Sequence, residues 1–153
     1  MILHIIVIGK TKDIRLRALE DDFLIRLQKY TRVDMSVIRE SKPPGQPGAL
    51  RDEAARIGKK IQAGDFVVAL DSRGEELTSR ELSGFLQKRL LAGAKRMVFA
   101  IGGPEGLDRE VMDRADLVLS FSRFTLTHEM IRVLLLEQLY RAWTLLRGEK
   151  YHR

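Results

Sequence analysis

The sequence of 153 residues contains no cysteine, and this absence removes several kinds of chemistry at once. Without a thiol there can be no disulfide, no thiolate nucleophile and no sulfur-ligated metal site. Histidine is scarce as well, and His4, His128 and His152 do not have the spacing of metal ligands, so we expect no metal. The chain also lacks an apolar run long enough to span a bilayer, so we expect no membrane partner.

The apolar opening, residues 1–9, lacks both a basic segment before the apolar run and a small-residue cleavage site after it. It therefore predicts a first β-strand rather than a signal peptide. Together with the absence of cysteine, this favours a cytoplasmic protein.

The composition is that of a soluble globular protein, with 44% hydrophobic and 31% charged residues. The length predicts a single domain over residues 1–153. A net charge of +6 favours a polyanionic partner, most often nucleic acid, although a merely basic protein is an equal alternative.

Apolar strands alternate with amphipathic helices along the whole chain. The predicted strands are residues 2–8, 33–38, 65–70, 96–101 and 117–120. The predicted helices are residues 13–30, with Leu16, Leu19, Phe23, Leu27 and Tyr30 on its apolar side, then 51–63, 78–91, 108–115 and 129–146. Such alternation predicts an α/β fold, a mostly parallel sheet with helices on both faces.

Two local signals refine this assignment. Thr78 and Glu81 have the spacing of a capping box at a helix start, and Thr127 or Thr125 would cap the last helix. Residues 41–48, with three of the four prolines, predict a loop that could be a mobile surface segment with Lys42 at its start.

Two turns, residues 102–106 and 121–126, each follow a buried strand and lead into a helix. Ligands of open α/β sheets bind beyond the carboxyl ends of the strands, so we expect both turns to form the walls of one pocket. The first turn is neither a P-loop nor a dinucleotide fingerprint, and Pro104 removes one amide. It suits a hydrogen-bonding adenine edge better than a pyrophosphate, although a purely structural turn is as good an interpretation in isolation.

The last helix is apolar nearly all the way round, which requires cover on more than one side. In so small a domain this predicts a homodimer, and the alternative is a central helix buried inside a monomer. The apolar positions are Met130, Ile131, Val133, Leu134, Leu135, Leu136, Leu139, Tyr140, Ala142 and Trp143.

Several polar residues of this helix and of the tail could carry chemistry. His128, at the helix start, should stay neutral and could exchange a proton or simply cap the helix. Arg132, in apolar surroundings, needs a carboxylate, carbonyl groups or a phosphate. Arg141 could pair with Glu137 as an ordinary helical ion pair. The basic, aromatic tail, residues 148–153, could grip RNA or remain solvent-facing chain.

Four stretches together resemble the ribosomal RNA large subunit methyltransferase H family, the small single-domain branch of the SPOUT methyltransferases. They are Ile-Gly-Gly-Pro-Glu-Gly at 101–106, Leu-Ser-Phe-Ser-x-x-Thr-x-x-His at 119–128, Arg-Val-Leu-Leu-x-Glu-Gln-x-Tyr-Arg-Ala at 132–142, and the closing Tyr-His-Arg. The resemblance covers the whole chain.

The resemblance implies a parallel sheet whose C-terminal part forms a trefoil knot, and a homodimer. It implies methyl transfer from S-adenosyl-L-methionine to N3 of a pseudouridine in 23S rRNA, in the assembled ribosome. The implied cofactor-binding residues are Leu70, Gly102, Phe121, Ser122, Arg123, Phe124, Thr125 and Leu126, and the implied catalytic, substrate-side residues are His128, Arg132, Arg141, Tyr151 and His152. Thr127 departs from the proline that relatives often carry there, without removing a group the chemistry needs.

Under this hypothesis His152 or His128 is the candidate base for the N3 proton, and an arginine steadies the developing imide charge. The tail of one subunit could complete the site of the other. The alternatives are a non-catalytic RNA-binding or ribosome-assembly factor with the same fold, and another nucleotide-binding α/β enzyme, which the missing phosphate motifs disfavour.

Overall fold

The structure is a computed structural model that describes residues 1–41, 45–46 and 48–151. Its strands are β1 (Ile2–Ile8), β2 (Arg32–Ile38), β3 (Phe66–Glu76), β4 (Arg96–Ile101) and β5 (Leu117–Ser120). Its helices are α1 (Ile14–Leu27), α2 (Ala49–Gly58), α3 (Ser79–Leu91), α4 (Arg109–Arg114) and α5 (His128–Leu146). Lys42, named above at the start of the loop, lies outside the described residues.

The five strands pair in parallel in the order β2-β1-β4-β3-β5. Helices α1, α3 and α5 pack on one face, with Leu27, Leu86 and Leu135 in the core they share with the sheet. Helices α2 and α4 cover the other face through Ile57 and Val111. This confirms the predicted parallel sheet with helices on both faces.

Side-chain caps fix the starts of the two longest helices that follow β3. The Glu81 amide donates to the Thr78 hydroxyl over 3.2 Å, and the Thr78 amide donates to the Glu81 carboxylate over 2.7 Å. The capping box predicted at α3 is therefore confirmed. At α5 the Met130 amide donates to the Thr127 hydroxyl, which selects Thr127 over Thr125 as the cap.

Strand β3 does not end at Leu70 as predicted, and the turn-like residues 71–74 are a bulge within it. Leu119 pairs first with Leu70 and then, after the bulge, with Glu75. Gly74 lies so close to β5 that a Cβ atom there would be 2.6 Å from the Val118 carbonyl oxygen. Gly74 thus allows the backbones of β3 and β5 to approach closely at the bulge. The trefoil knot implied by the resemblance stays a prediction.

Helices α1 and α2 end earlier than predicted, because their last residues form tighter turns. The Tyr30 amide donates to the Leu27 carbonyl, and the Lys60 amide donates to the Ile57 carbonyl, each three residues back. Such bonds close three-residue turns instead of continuing an α-helix.

The core-facing side of α1 also differs from the predicted stripe. Leu19 is 44% exposed, whereas its neighbour Glu20 is only 6% exposed. The Glu20 carboxylate is turned inward because it accepts a hydrogen bond of 2.6 Å from the Thr11 hydroxyl. A polar contact, and not hydrophobic periodicity, therefore decides which residue of this turn is buried.

Helix α5 lies on the sheet between α1 and α3. The chain itself therefore covers much of the apolar surface that led to the homodimer prediction. Six of its apolar positions are buried, namely Val133, Leu135, Leu136, Leu139, Ala142 and Trp143. The central-helix alternative accounts for these six, and only Met130, Ile131, Leu134 and Tyr140 remain partly exposed.

Candidate active site

A cleft of about 580 Å³ opens at the carboxyl ends of β3, β4 and β5. Both turns chosen from the sequence line it, as expected for ligand sites of parallel sheets. Seven of the eight residues implied as cofactor ligands line this one cleft: Leu70, Gly102, Phe121, Ser122, Phe124, Thr125 and Leu126. Residues that are far apart in the sequence are thus brought to one place by the sheet order.

The first wall of the cleft is a backbone turn that has no room for a side chain at its start. A Cβ atom on Gly102 would lie 2.2 Å from the carbonyl oxygen of Gly106. Gly106 has a φ of 81° and donates its amide to the Gly103 carbonyl over 3.0 Å. Glycine is therefore required by the fold of the turn itself, and the turn leaves backbone facing the cleft.

The second wall follows β5 and is shaped by two serine hydroxyls. The Ser122 amide donates to the Ser120 hydroxyl oxygen over 3.2 Å, and the Phe124 amide donates to the Ser122 hydroxyl oxygen over 3.0 Å. These local bonds hold the turn open and leave the Phe124 ring 82% exposed at the cleft.

Arg123 is the implied cofactor residue that does not line the cleft. Its side chain is 94% exposed and lies 3.5 Å from the Glu76 carboxylate. An exposed pair of this kind contributes little to stability, so the guanidinium is free to meet a solvent-side partner.

The charged side chains that line the cleft are acidic. No lysine or arginine is among the described residues that line it, whereas the carboxylates of Asp71 and Glu105 do. A hydrogen bond from the Arg73 guanidinium holds the pKa of Asp71 below its usual value, so this carboxylate stays ionised. Such a lining disfavours a phosphate and suits a ligand that carries positive charge.

His128 stands at the rim of the cleft, at the first residue of α5. Burial lowers the pKa of its imidazole, and the charges of Arg132 and Lys12 lower it further, against Glu129 and Glu40. The ring is consequently neutral at pH 7 and able to accept a proton, as the sequence predicts for a histidine at this position.

Arg132 does not reach the cleft. Its side chain is 1% exposed, and it donates to the Thr11 hydroxyl over 2.9 Å and to the carbonyl oxygen of Ile8. The partner predicted for this buried cation is thus a carbonyl and a hydroxyl, with the Glu20 carboxylate behind the hydroxyl.

Arg141 and Tyr151 lie at the other end of α5. The Arg141 guanidinium pairs with the Glu137 carboxylate, the ordinary helical pair named above as the alternative, and lies 4.7 Å from the centre of the Tyr151 ring. The Tyr151 hydroxyl donates to the same carboxylate over 3.3 Å. Thirteen residues separate His128 from Arg141, or about 20 Å of helix. One chain therefore does not bring all the implied substrate-side residues together, and His152 lies outside the described residues.

Sequence reasoning missed some residues of the cleft and of its support. Asp71 and Ser72 line the cleft directly after the part of β3 that pairs with β4. The rule that ligands bind beyond the carboxyl ends of parallel strands could have found them. Thr11 and Glu20 carried no local signal, because their role depends on contacts with α5, more than a hundred residues away.

The described part of the chain shows neither a metal-binding cluster nor a membrane-spanning helix. Within residues 1–41, 45–46 and 48–151, no three His, Asp or Glu side chains are grouped as a metal site would require. No helix in the described part of the chain has both the length and the hydropathy to cross a membrane.

Comparison with known proteins identifies the family. Residues 1–152 match the family model described as "Predicted SPOUT methyltransferase". The chain is 42% identical over 152 residues to the ribosomal RNA large subunit methyltransferase H of Geobacter metallireducens, covering 99% of each chain. It is 42% identical over 157 residues to the protein of the same name from Moorella thermoacetica, covering 99% of this chain and 98% of that one.

A solved structure shares the fold at lower similarity. The tRNA (m1G37) methyltransferase of Aquifex aeolicus is 21% identical with a TM-score of 0.58, over 100% of this chain and 74% of that chain. The full-length family match and the close relatives agree with the sheet and the cleft described above: the chain belongs to the SPOUT methyltransferase family.

Proposed function

We propose that this protein transfers a methyl group from S-adenosyl-L-methionine to N3 of a pseudouridine in 23S rRNA of the assembled ribosome. The observation that carries the proposal is the convergence of seven cofactor candidates on one cleft, with a neutral histidine at its rim. The names of the relatives, which are rRNA methyltransferases of the large subunit, support the same substrate class.

The residues of the cleft fit this cofactor. Apolar side chains such as Leu70, Ile101 and Leu119 offer a dry surface for the adenine, and the glycine turn offers backbone groups for its edge. The ionised Asp71 and the nearby Glu105 favour the positive charge of a sulfonium and an ammonium group. When bound, the cofactor supplies an already activated methyl group, so no further electrophilic catalysis is needed.

The protein's own task is then to hold the target nitrogen in line with the methyl group and to remove its proton. With the cofactor bound, N3 would take the methyl group from the sulfonium sulfur, which would be left as a neutral thioether, and the N3 proton would pass to a base of the protein. His128 is the described residue placed for this role, since its neutral imidazole faces the cleft. His152 remains the second candidate.

A second copy of the chain is part of the proposal. Met130, Leu134, Glu137 and Arg141 follow one another at three- or four-residue intervals and form one stripe along α5. A two-fold axis crossing this stripe would place the Arg141 end of one helix beside the His128 end of the other. The 20 Å separation within one chain would then become a contact between two chains, and the tail of one subunit would complete the site of its partner.

The chain's excess of basic residues would bind the phosphates of the RNA. An enzyme that modifies assembled ribosomes would work in the cytoplasm.

The deciding experiment is methyl transfer to ribosomes from a strain that lacks this protein, followed by mass mapping of the modified nucleotide. We expect one methyl group on one pseudouridine, with no transfer to free 23S rRNA. Calorimetry should show binding of S-adenosyl-L-methionine at micromolar affinity. Ribosome binding without cofactor binding would instead support the non-catalytic assembly factor.

A further inference from the structure

Arg132 is a buried cation without a carboxylate at contact distance. Its side chain is 1% exposed, and among the described residues no Asp or Glu oxygen lies within 4.0 Å of its guanidinium. Its Nε atom is buried without a hydrogen-bond partner. Burial accordingly lowers the pKa of the guanidinium. Because such a charge is costly to bury, its presence calls for a role beyond packing.

The charge that balances Arg132 reaches it through a hydroxyl. Thr11 donates its single proton to the Glu20 carboxylate over 2.6 Å, so its oxygen is left to accept the bond of 2.9 Å from Arg132. A second guanidinium nitrogen is held by the carbonyl oxygen of Ile8, at the end of β1. The Glu20 carboxylate, the Thr11 hydroxyl and the Arg132 guanidinium therefore form one hydrogen-bond network. The hydroxyl holds the guanidinium from one side, and the Ile8 carbonyl holds it from another.

This hydrogen-bond network ends at Arg132, one helical turn from the candidate base His128. Arg132 is one helical turn after His128, so the two side chains lie on the same side of α5, with Cβ atoms about 5–6 Å apart. The other charges that face His128 are Glu129 on its own helix, Glu40 after β2 and Lys12 after β1. A shift of the Arg132 guanidinium would therefore change the proton affinity of the His128 imidazole without changing the residues that line the cleft.

We propose that Thr11 and Glu20 are positioning residues that lock the buried Arg132 guanidinium beneath His128. Neither residue touches the cleft, and both act through Arg132. The locked charge adds to the effect of burial, and together they keep the imidazole neutral and ready to take the N3 proton. This inference rests on the proposed function for its catalytic consequence, but the effect on His128 can be measured without any methyl transfer.

The test is a titration of the His128 imidazole by NMR in the full-length protein, with the signal assigned from a His128→Gln variant. Thr11→Val keeps the shape of the side chain and removes the hydroxyl, and Thr11→Ser restores it. Thr144→Val is the control for the loss of a threonine hydroxyl, because Thr144 is buried far along the same helix from His128 and its hydroxyl donates to the carbonyl of Arg141.

We expect Thr11→Val to raise the His128 titration midpoint by about half a pH unit. Coulomb's law gives this change when a unit charge moves from about 6 to about 8 Å at an effective dielectric constant of about 20. Thr11→Ser and Thr144→Val should leave the midpoint where it is. In methyl-transfer assays the acid limb of kcat should move with the midpoint, while the KM for S-adenosyl-L-methionine stays the same.

An unchanged midpoint in folded Thr11→Val, or an equal shift in Thr144→Val, would overturn the proposal. If Thr11→Val does not fold, Thr11→Ala removes the same hydroxyl and should raise the midpoint in the same direction. A shifted midpoint in a protein that transfers no methyl group would refute the proposed function while leaving the positioning role intact.

Discussion

The two ends of α5 carry the same kinds of residues in opposite surroundings. At the near end, residues 128–132, the arginine is held in the interior by a carbonyl and a hydroxyl group, one turn after a half-buried histidine. At the far end, residues 137–151, an arginine and a tyrosine are held mainly by Glu137 and by one another, close to the surface. The contacts at the near end hold the Arg132 charge in one place, whereas Arg141 at the far end can exchange Glu137 for another partner.

This difference separates two jobs of an RNA-modifying enzyme. A fixed, water-excluded charge acts on a reacting group without reorganising, which is what electrostatic catalysis requires. At the far end, the Arg141 and Glu137 side chains keep 23% and 17% of their surface exposed, so a phosphate or a base of the RNA can still reach the guanidinium. We therefore expect the near end to control the chemistry and the far end to control substrate engagement.

The largest expected effect is in the glycine turn of the cleft, which His128 at the near end also lines. Gly102→Ala should abolish measurable binding of S-adenosyl-L-methionine by calorimetry, because the new Cβ atom would lie 2.2 Å from the Gly106 carbonyl oxygen. Gly84→Ala on α3 is the control, since a Cβ atom there meets nothing within 4 Å. A folded Gly102→Ala protein that binds the cofactor normally would disprove the role given to this turn.

The far end should affect transfer without affecting the cofactor. The double variant Arg141→Gln with Tyr151→Ala should lower kcat/KM for ribosomes about 100-fold, the loss expected for about 3 kcal/mol of transition-state contacts. Its dissociation constant for S-adenosyl-L-methionine should stay within about twofold of the wild-type value, because neither residue lines the cleft. A matched loss of cofactor affinity would contradict the separation of the two ends.

Mixed dimers test whether the two ends meet between subunits. Equal amounts of the far-end double variant and of His128→Gln, refolded together, should recover about a quarter of wild-type activity. Half of the dimers are then mixed, and one of the two sites in each is intact. Recovery of no activity would show that each tail serves its own chain.

The smallest expected effect is on the pH profile. Burial, with the charge of Arg132, lowers the pKa of His128 from its usual value, so the imidazole is neutral at pH 7 and the rate of methyl transfer should fall only as the pH drops through that lowered pKa. Burial and Glu137 raise the pKa of Tyr151, which keeps its hydroxyl protonated throughout this range. The far-end double variant should therefore lower the rate at every pH without moving the acid limb, and a displaced limb would argue against this assignment.

Much of the architecture follows from the sequence because it depends on local patterns. Continuous apolar runs identify parallel strands, and the Thr78 and Glu81 pair marks the start of α3. The continuation of β3 past Leu70 could not be predicted, because residues 71–74 have the composition of a turn and only β5 turns them into a bulge.

The candidate site likewise contains some residues that the sequence predicts and others that it does not. The two turns at strand ends follow from the carboxyl-end rule, and the family resemblance adds the particular residues. The burial of Glu20 and the contact of Arg132 with Thr11 could not be predicted, since both depend on Thr11 lying where β1 and α5 meet. Long-range contacts of single polar groups leave no periodic trace in a sequence.

The bulge at Gly74 has a consequence for the biosynthesis of the protein. β5 is the outermost strand and the last to leave the ribosome, so until it emerges the backbone groups of β3 form an open edge. A nascent chain halted before Leu117 would expose this edge to other chains and would be prone to aggregate. A side chain at position 74 would meet the Val118 carbonyl oxygen as β5 pairs with this edge, so Gly74 bears on the yield of folded protein as well as on its final shape.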